Sequence, residues 1–167
     1  MSRPTLKSLV FFCAIMVGGT VQAEQADTTA ADFSPQVWLN PGLYSMHFNR
    51  NSDFRENNIG FGAEVLLTND HSLMGGSFIN SDRQRSYYGL YQWRPMHWEV
   101  FSTKVSAGIA AGVFDGYPKY KNGAWFAAAL PLLSVEGERF GVNFAFIPTI
   151  PHRMSGAVAI QVKLRVW

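Results

Sequence analysis

From Pro35 onward the chain alternates between large apolar residues and small or polar ones. Ile59, Phe61, Ala63, Val65 and Leu67 stand between Asn58, Gly60, Gly62, Glu64 and Leu66. Phe101, Thr103, Val105, Ala107, Ile109, Ala111 and Val113 do the same against Ser102, Lys104, Ser106, Gly108, Ala110 and Gly112, and Val142, Phe144 and Phe146 follow the pattern. So do Val158, Ile160, Val162, Leu164 and Val166 against Ala159, Gln161, Lys163 and Arg165. A helix cannot place every second residue on one side, whereas an extended strand does. With the weaker runs between them, these segments predict eight strands, near 37–49, 57–68, 72–80, 86–94, 98–113, 124–135, 140–148 and 156–167.

The connections alternate in length. Asn69-Asp70-His71, Pro95-Met96-His97 and Glu136-Gly137-Glu138-Arg139 are tight, while 50–56, 81–85, 114–123 and 149–155 are longer. Short turns at one end, longer loops at the other and an even strand count match the plan of an outer-membrane barrel. The second face of each strand is rich in Gly, Ala, Ser, Asn and Gln. Small and polar groups inside with apolar groups outside suit hydrocarbon surroundings rather than water. The expected fold is therefore all-β: an eight-stranded antiparallel up-and-down transmembrane β-barrel over 37–167.

What precedes the barrel reads as export machinery. Arg3 and Lys7 form a basic start, Leu9 to Val17 is an unbroken apolar run, and Val21-Gln22-Ala23 places small residues where a signal peptidase needs them. Residues 1–23 are expected to be a cleaved signal peptide. Phe12 before Cys13 is too bulky for a lipoprotein signal. Residues 24–36 form a polar lead-in with room for a short helix. Removing Arg3, Lys7 and Cys13 leaves a cysteine-free chain with balanced charge, so disulfides do not stabilise it. The whole chain, at 167 residues and 16% charged with a formal charge of +2, is neither polyelectrolyte nor basic enough for a nucleic-acid binder.

Aromatic residues make up 14% of the chain. Trp38, Tyr44, Tyr87, Tyr91, Trp93, Trp98, Phe101, Phe114, Tyr117, Trp125, Phe140 and Trp167 fall mostly near strand ends, where amphipathic rings can form two interfacial girdles. A soluble lipid carrier with aromatics lining its cavity is the competing reading. It explains less well why large apolar residues alternate with Lys104, Lys163 and Arg165, which are expected to face the lumen.

Eight strands enclose an interior that side chains fill, or one small ligand, so a diffusion pore is not expected. An exported N-terminus makes strand 1 run outward and gathers the longer loops on the outer rim. Counting strands alone then brings His47, near the end of strand 1, and Ser81, at the start of the 81–85 loop, to one rim. Arg50, Arg55, Arg83, Arg85, Lys119, Lys121 and Arg153 outnumber Asp53, Glu56, Asp82 and Asp115 there. Arginine forks hold phosphate oxygens bidentately, which suits the phosphates of lipopolysaccharide. His71, His97 and His152 are isolated turn or loop residues, and no metal or cofactor motif is found.

The closing segments, Ala129-Leu130-Pro131-Leu132-Leu133-Ser134-Val135 and Gly141-Val142 through Phe146-Ile147-Pro148, resemble those of the lipid A palmitoyltransferase (PagP) family of outer-membrane barrels. Gly75 to Ser81, Tyr88-Gly89 and Trp93-Arg94-Pro95 are similar to its middle strands, and Met46-His47 to its first. The resemblance implies an eight-stranded barrel that moves a palmitoyl chain from a phospholipid to lipid A, using His, Asp and Ser near the outer surface. His47 matches the His and Ser81 the Ser. Pro131 and Pro148 match prolines that interrupt strand pairing where lipid passes sideways, in keeping with a residue that cannot donate to a ladder.

Two positions depart from that pattern. Asn80 stands where the family has its Asp, an exchange that costs on the order of ten-thousandfold in a Ser-His-Asp triad. Asp82 is the carboxylate in position to replace it, although an extended segment would point Ser81 away from Asn80 and Asp82. Gln92 stands where the family has the glycine that sets acyl length, and a larger side chain there shortens or closes the cavity. Arg83 and Arg85 are the expected headgroup contacts. The expectation is an outer-membrane, monomeric acyltransferase whose partners are phospholipid and lipid A, without cofactor or metal. The alternative is a barrel of the same fold that binds lipopolysaccharide or serves structurally without chemistry. A tunnel ending near Gln92 favours the first, and a plugged lumen the second.

Overall fold

The computed structural model describes residues 33–51, 53–151 and 154–167. Eight antiparallel strands follow one another round a closed barrel: β1 (Gln36–His47), β2 (Asn57–Leu66), β3 (His71–Ile79), β4 (Arg85–Val100), β5 (Thr103–Phe114), β6 (Phe126–Glu136), β7 (Phe140–Ile147) and β8 (Ala157–Arg165). β8 pairs with β1 and closes the ring. The expected up-and-down topology is thus present. Residues 1–23 and most of the 24–36 lead-in lie outside the described residues, and of the lead-in Gln36 already belongs to β1. The connections 67–70, 101–102 and 137–139 gather at one end, and 48–56, 80–84, 115–125 and 148–156 at the other.

One boundary differs from expectation. Pro95-Met96-His97 is not a turn: β4 continues to Val100, and its pairing with β5 shifts register between Trp93 and Met96. Proline has no N–H to donate, and the ladder passes it by slipping at that point instead of ending. The reversal comes at Phe101-Ser102, with Phe101 at φ 54°. Because β3 begins opposite Trp93, the last residues of β4 have no β3 partner, and this hairpin overhangs the short-turn end. Met96, Trp98, Val100 and Phe101 are exposed on it.

A second irregularity lies at Pro41-Gly42, where β1 slips against both β2 and β8. Gly42 has φ 107°, and a Cβ there would run into the backbone of Asn58 and Gly60. Only glycine combines that conformation with so close an approach.

The polarity of the barrel is inverted. Ile59, Phe61, Leu73, Trp93, Ile109, Val162 and Leu164 face outward and are exposed. Asn58, Glu64, Ser72, Asn80, Ser86, Gln92, Arg94, Ser106, Ser134 and Lys163 are buried inside. In the short-turn half the lumen is filled by a charge cluster. Lys163 Nζ lies 2.8 Å from Glu64 Oε2 and 2.6 Å from Glu136 Oε1, and Arg94 Nη1 lies 2.9 Å from Glu136 Oε1. Ser72 donates to Glu64, Asn143 donates to Glu64, and Ser134 lies between Asn143 and Glu136. Trp38 covers the cluster, with Lys163 Nζ 4.9 Å from its ring. Lys104, expected in the lumen, instead bonds Asn69 at the exposed short-turn rim.

Two cations and two anions neutralise one another, and removing one leaves a buried charge uncompensated. Lys163→Met is expected to cost on the order of 3–5 kcal/mol, read as a fall in the urea midpoint of the refolded barrel. An unchanged midpoint would show that the cluster does not hold this half together.

Candidate functional site

Above the charge cluster the long-loop half of the lumen is hollow. A cavity of about 200 Å³ lies there. Its floor is formed by Gln92, Leu132, Asn143 and Gln161, and its mouth by His47, Phe54, Ser81, Asp82, Tyr117 and Lys119. Small residues make the space: Ala110, Ala128, Ala145, Ala157 and Ala159 all line it. Aromatic rings line one wall, with Phe78–Tyr88, Tyr88–Phe114 and Phe114–Phe126 centroids 5.8, 6.1 and 6.0 Å apart. On β6 the lining extends from Phe126 to Leu132. At the usual strand rise and barrel tilt this is ~15 Å along the axis, the length of an extended chain of roughly 12 carbons.

The wall is incomplete beside this cavity. β6 pairs with β7 only from Leu132↔Ala145 to Glu136↔Gly141, so Phe126 to Pro131 have no β7 partner. Pro131 stays in register with Ile109 of β5, and Pro148 follows the last residue of β7. Both prolines therefore border the unpaired stretch. Ala128, Leu130, Ala145 and Ile147 of the cavity lining lie directly behind it.

His47, the last residue of β1, is buried, with its ring stacked at 4.6 Å on Phe54 of the β1–β2 loop. Its backbone N–H reaches Glu56 Oε1 at 3.4 Å. Glu56 also accepts from Tyr44 at 2.6 Å and pairs with Arg50 at 2.9 Å, and the Tyr44 hydrogen bond holds its carboxyl below the usual carboxylate range. His47 Nδ1 is buried and has no partner among the described residues.

Ser81 Oγ lies 3.3 Å from Ser45 Oγ. Asn58 Nδ2 donates to Ile79 O, so its Oδ1 is turned to accept from Ser45 at 2.7 Å. With the Ser45 proton committed there, Ser81 is the donor between the two hydroxyls. Ser45 lies two residues before His47 on one strand, so both side chains share the inner face. That spacing makes Ser45 findable in the sequence, although only the fold brings Ser81 against it. Phe54, Tyr117 and Lys119 carry no such signal, because irregular loops deliver them.

The 80–84 turn converges Ser81 and Asp82 on the same mouth, which strand alternation alone would not do. Arg83 takes φ 62° to make that turn. Asp82 pairs with Lys119 at 2.9 Å, and Lys119 Nζ sits 5.4 Å from the Phe54 ring. Asn80 is differently employed. Its Oδ1 accepts the N–H groups of Asp82 and Gln84, and its Nδ2 donates to Ser86 Oγ and Gly116 O. The whole amide is spent on fixing the turn. Arg83 pairs with Asp53 at 2.8 Å, and Arg85 Nη1 donates to Ser77 Oγ at 3.3 Å on the outer surface. Gln92 lies at the cavity floor, fully buried. His152 and Arg153 lie outside the described residues.

No protein-family model matches the chain, and no curated protein matches it.

Asn80→Asp would turn a carboxylate oxygen toward the Gly116 carbonyl, 2.7 Å from the present donor. The expected result is a loss of about 1–3 kcal/mol in urea unfolding, rather than a gain of function. A variant as stable as the parent would show that Asn80 is not a turn residue first.

Proposed function

We propose that the chain is an outer-membrane barrel that transfers a fatty acyl chain from a phospholipid to lipid A. The observation that carries this reading is a blind apolar cavity whose mouth holds His47, Ser81 and Ser45 and whose flank lacks strand pairing at Pro131. The apolar outer face supports a hydrocarbon surrounding, since the closed ring pairs its strand edges there except along the short β6–β7 gap. A carbon chain can pass sideways between β6 and β7, where no ladder bonds have to break. Its carboxyl end then lies at the mouth and its tail toward Gln92.

The chemistry follows from the groups at the mouth. His47 accepts the proton of the attacking lipid A hydroxyl, whose oxygen bonds to the ester carbonyl carbon. The carbonyl oxygen takes up negative charge as Ser81 turns its hydroxyl proton from Ser45 to it, while Ser45, its own proton held by Asn58, positions Ser81. On collapse the carbon–oxygen bond to the phospholipid glycerol breaks, and the proton on His47 passes to the departing alkoxide. The carboxyl groups of Glu56 and Asp82 lie near the mouth, where they offset part of the cost that burial places on an imidazolium at His47. Asn80 takes no part in these steps.

The basic rim supports this reading better than the alternative of a non-catalytic lipopolysaccharide binder. Arg50, Arg83 and Lys119 are each paired with a carboxylate of the same rim. Exposed pairs of this kind are worth little in stability but leave less free charge for phosphates.

Expression in an outer-membrane-bearing host is expected to add one acyl chain to lipid A, seen as a single mass increment. His47→Ala should abolish it, and Ser81→Ala should lower the rate about a hundred- to thousandfold. Unchanged lipid A spectra with folded protein in the membrane would remove the reading. Gln92→Gly is expected to shift the transferred chain to slightly greater length, since it removes one of the side chains of the floor above the charge cluster; an unchanged length would place the tail elsewhere.

A further inference from the structure

The floor of the cavity is chemically unlike its walls. Along β4 the inward side chains in order are Tyr88, Leu90 and Gln92, and the ladder neighbours of Gln92 are Ser72 on β3 and Ala110 on β5. Both ladder neighbours are small and leave room for the amide to extend into the lumen. Gln92 is fully buried, yet its Nε2 faces only the thioether of Met74 at 3.8 Å. Its Oε1 has no partner among the described residues. Tyr88 and Gln161 line the same floor, joined by a long 3.4 Å hydrogen bond from Gln161 Nε2 to the Tyr88 hydroxyl. Tyr88 is set there by the paired Gly62 and Gly76, where an added Cβ would meet its hydroxyl.

A site for a plain hydrocarbon tail has no use for such a floor. A methyl group brought against this buried amide offers its carbonyl oxygen no donor and leaves the cost of burying it uncompensated. A hydroxyl at the far end of the chain would donate to Gln92 Oε1 and accept from the same cluster. We propose that the cavity selects acyl chains of about 12 carbons that carry a hydroxyl at or next to their methyl end, read by Gln92. The proposal rests on the reading of this cavity as an acyl slot and adds to it the chemical class of the chain.

Full-length barrel refolded into vesicles of a diether phosphatidylcholine, which holds no ester to cleave, supplies the test. Dodecanoate, 12-hydroxydodecanoate and 3-hydroxydodecanoate each compete against a dansylated undecanoate bound to the barrel. In the parent protein the 12-hydroxy acid is expected to compete about three- to tenfold better than dodecanoate, the gain of one added hydrogen bond. The 3-hydroxy acid, whose hydroxyl stays near the mouth, gains nothing. Gln92→Leu is expected to erase or invert the preference while keeping the fold, since it removes only an amide without partners, and its urea midpoint checks this. Equal competition by all three acids, as a water bound at Gln92 would give, overturns the proposal, and so does a gain for the 3-hydroxy acid or no competition by any. Transfer to lipid A is measured separately. An acyl increment made without the hydroxyl preference sinks this inference alone, and the preference without any increment sinks only the transfer reading.

Discussion

The Glu64–Lys163–Glu136–Arg94 cluster is the constraint on which the rest of the molecule depends. An eight-stranded ring is just wide enough for its own side chains to fill. Long charged residues fill one half, and they neutralise one another there at the cost of leaving water. In the other half Ala110, Ala128, Ala145, Ala157 and Ala159 leave the space open. The cluster thereby turns a tube into a vessel with a bottom. Asn143 belongs to both parts: it donates to Glu64 below and lines the cavity above. Any ligand in the upper half rests on a layer that ion pairs keep closed.

Much of this architecture is legible in the chain because a strand encodes its two faces by alternation. The paired runs at 57–67 and 156–166 carry the inside and outside sets without reference to any other segment. Pro95 was legible only in part. Its missing N–H marks a break in the ladder, but whether the chain turns or slips there depends on what β5 offers opposite, which lies outside the local sequence. The site divides the same way. His47 and Ser81 meet at one mouth because strand parity and strand count suffice to bring them there. Asn80 has its role decided by Ser86 and Gly116 in space, and the convergence of Asp82 with Ser81 is made by a left-handed residue at Arg83. Phe54 over His47 and Lys119 over Asp82 come from loops whose paths no periodicity describes.

The mouth separates two things that surrounding groups can do for a histidine. With the amide of Asn80 consumed by its turn, carboxylates approach the histidine from two other directions, Glu56 from the end of the β1–β2 loop and Asp82 from the turn itself. A negative field can be supplied by groups that do not touch the imidazole, since its effect falls gradually with distance, whereas orientation of the ring demands contact. Here the ring's orientation comes from packing: Phe54 stacks against it.

The overhanging β4–β5 hairpin has a consequence for posture. Its Met96, Trp98, Val100 and Phe101 prolong the greasy surface on one side of the cylinder, while the neighbouring edge at 67–70 stops short. Were the barrel set in a hydrocarbon slab of fixed thickness, so lopsided a band would be covered evenly only with the cylinder leaning, the hairpin side lifted into the slab. The outline of that band is thus written into where one proline lets a strand slip instead of stop.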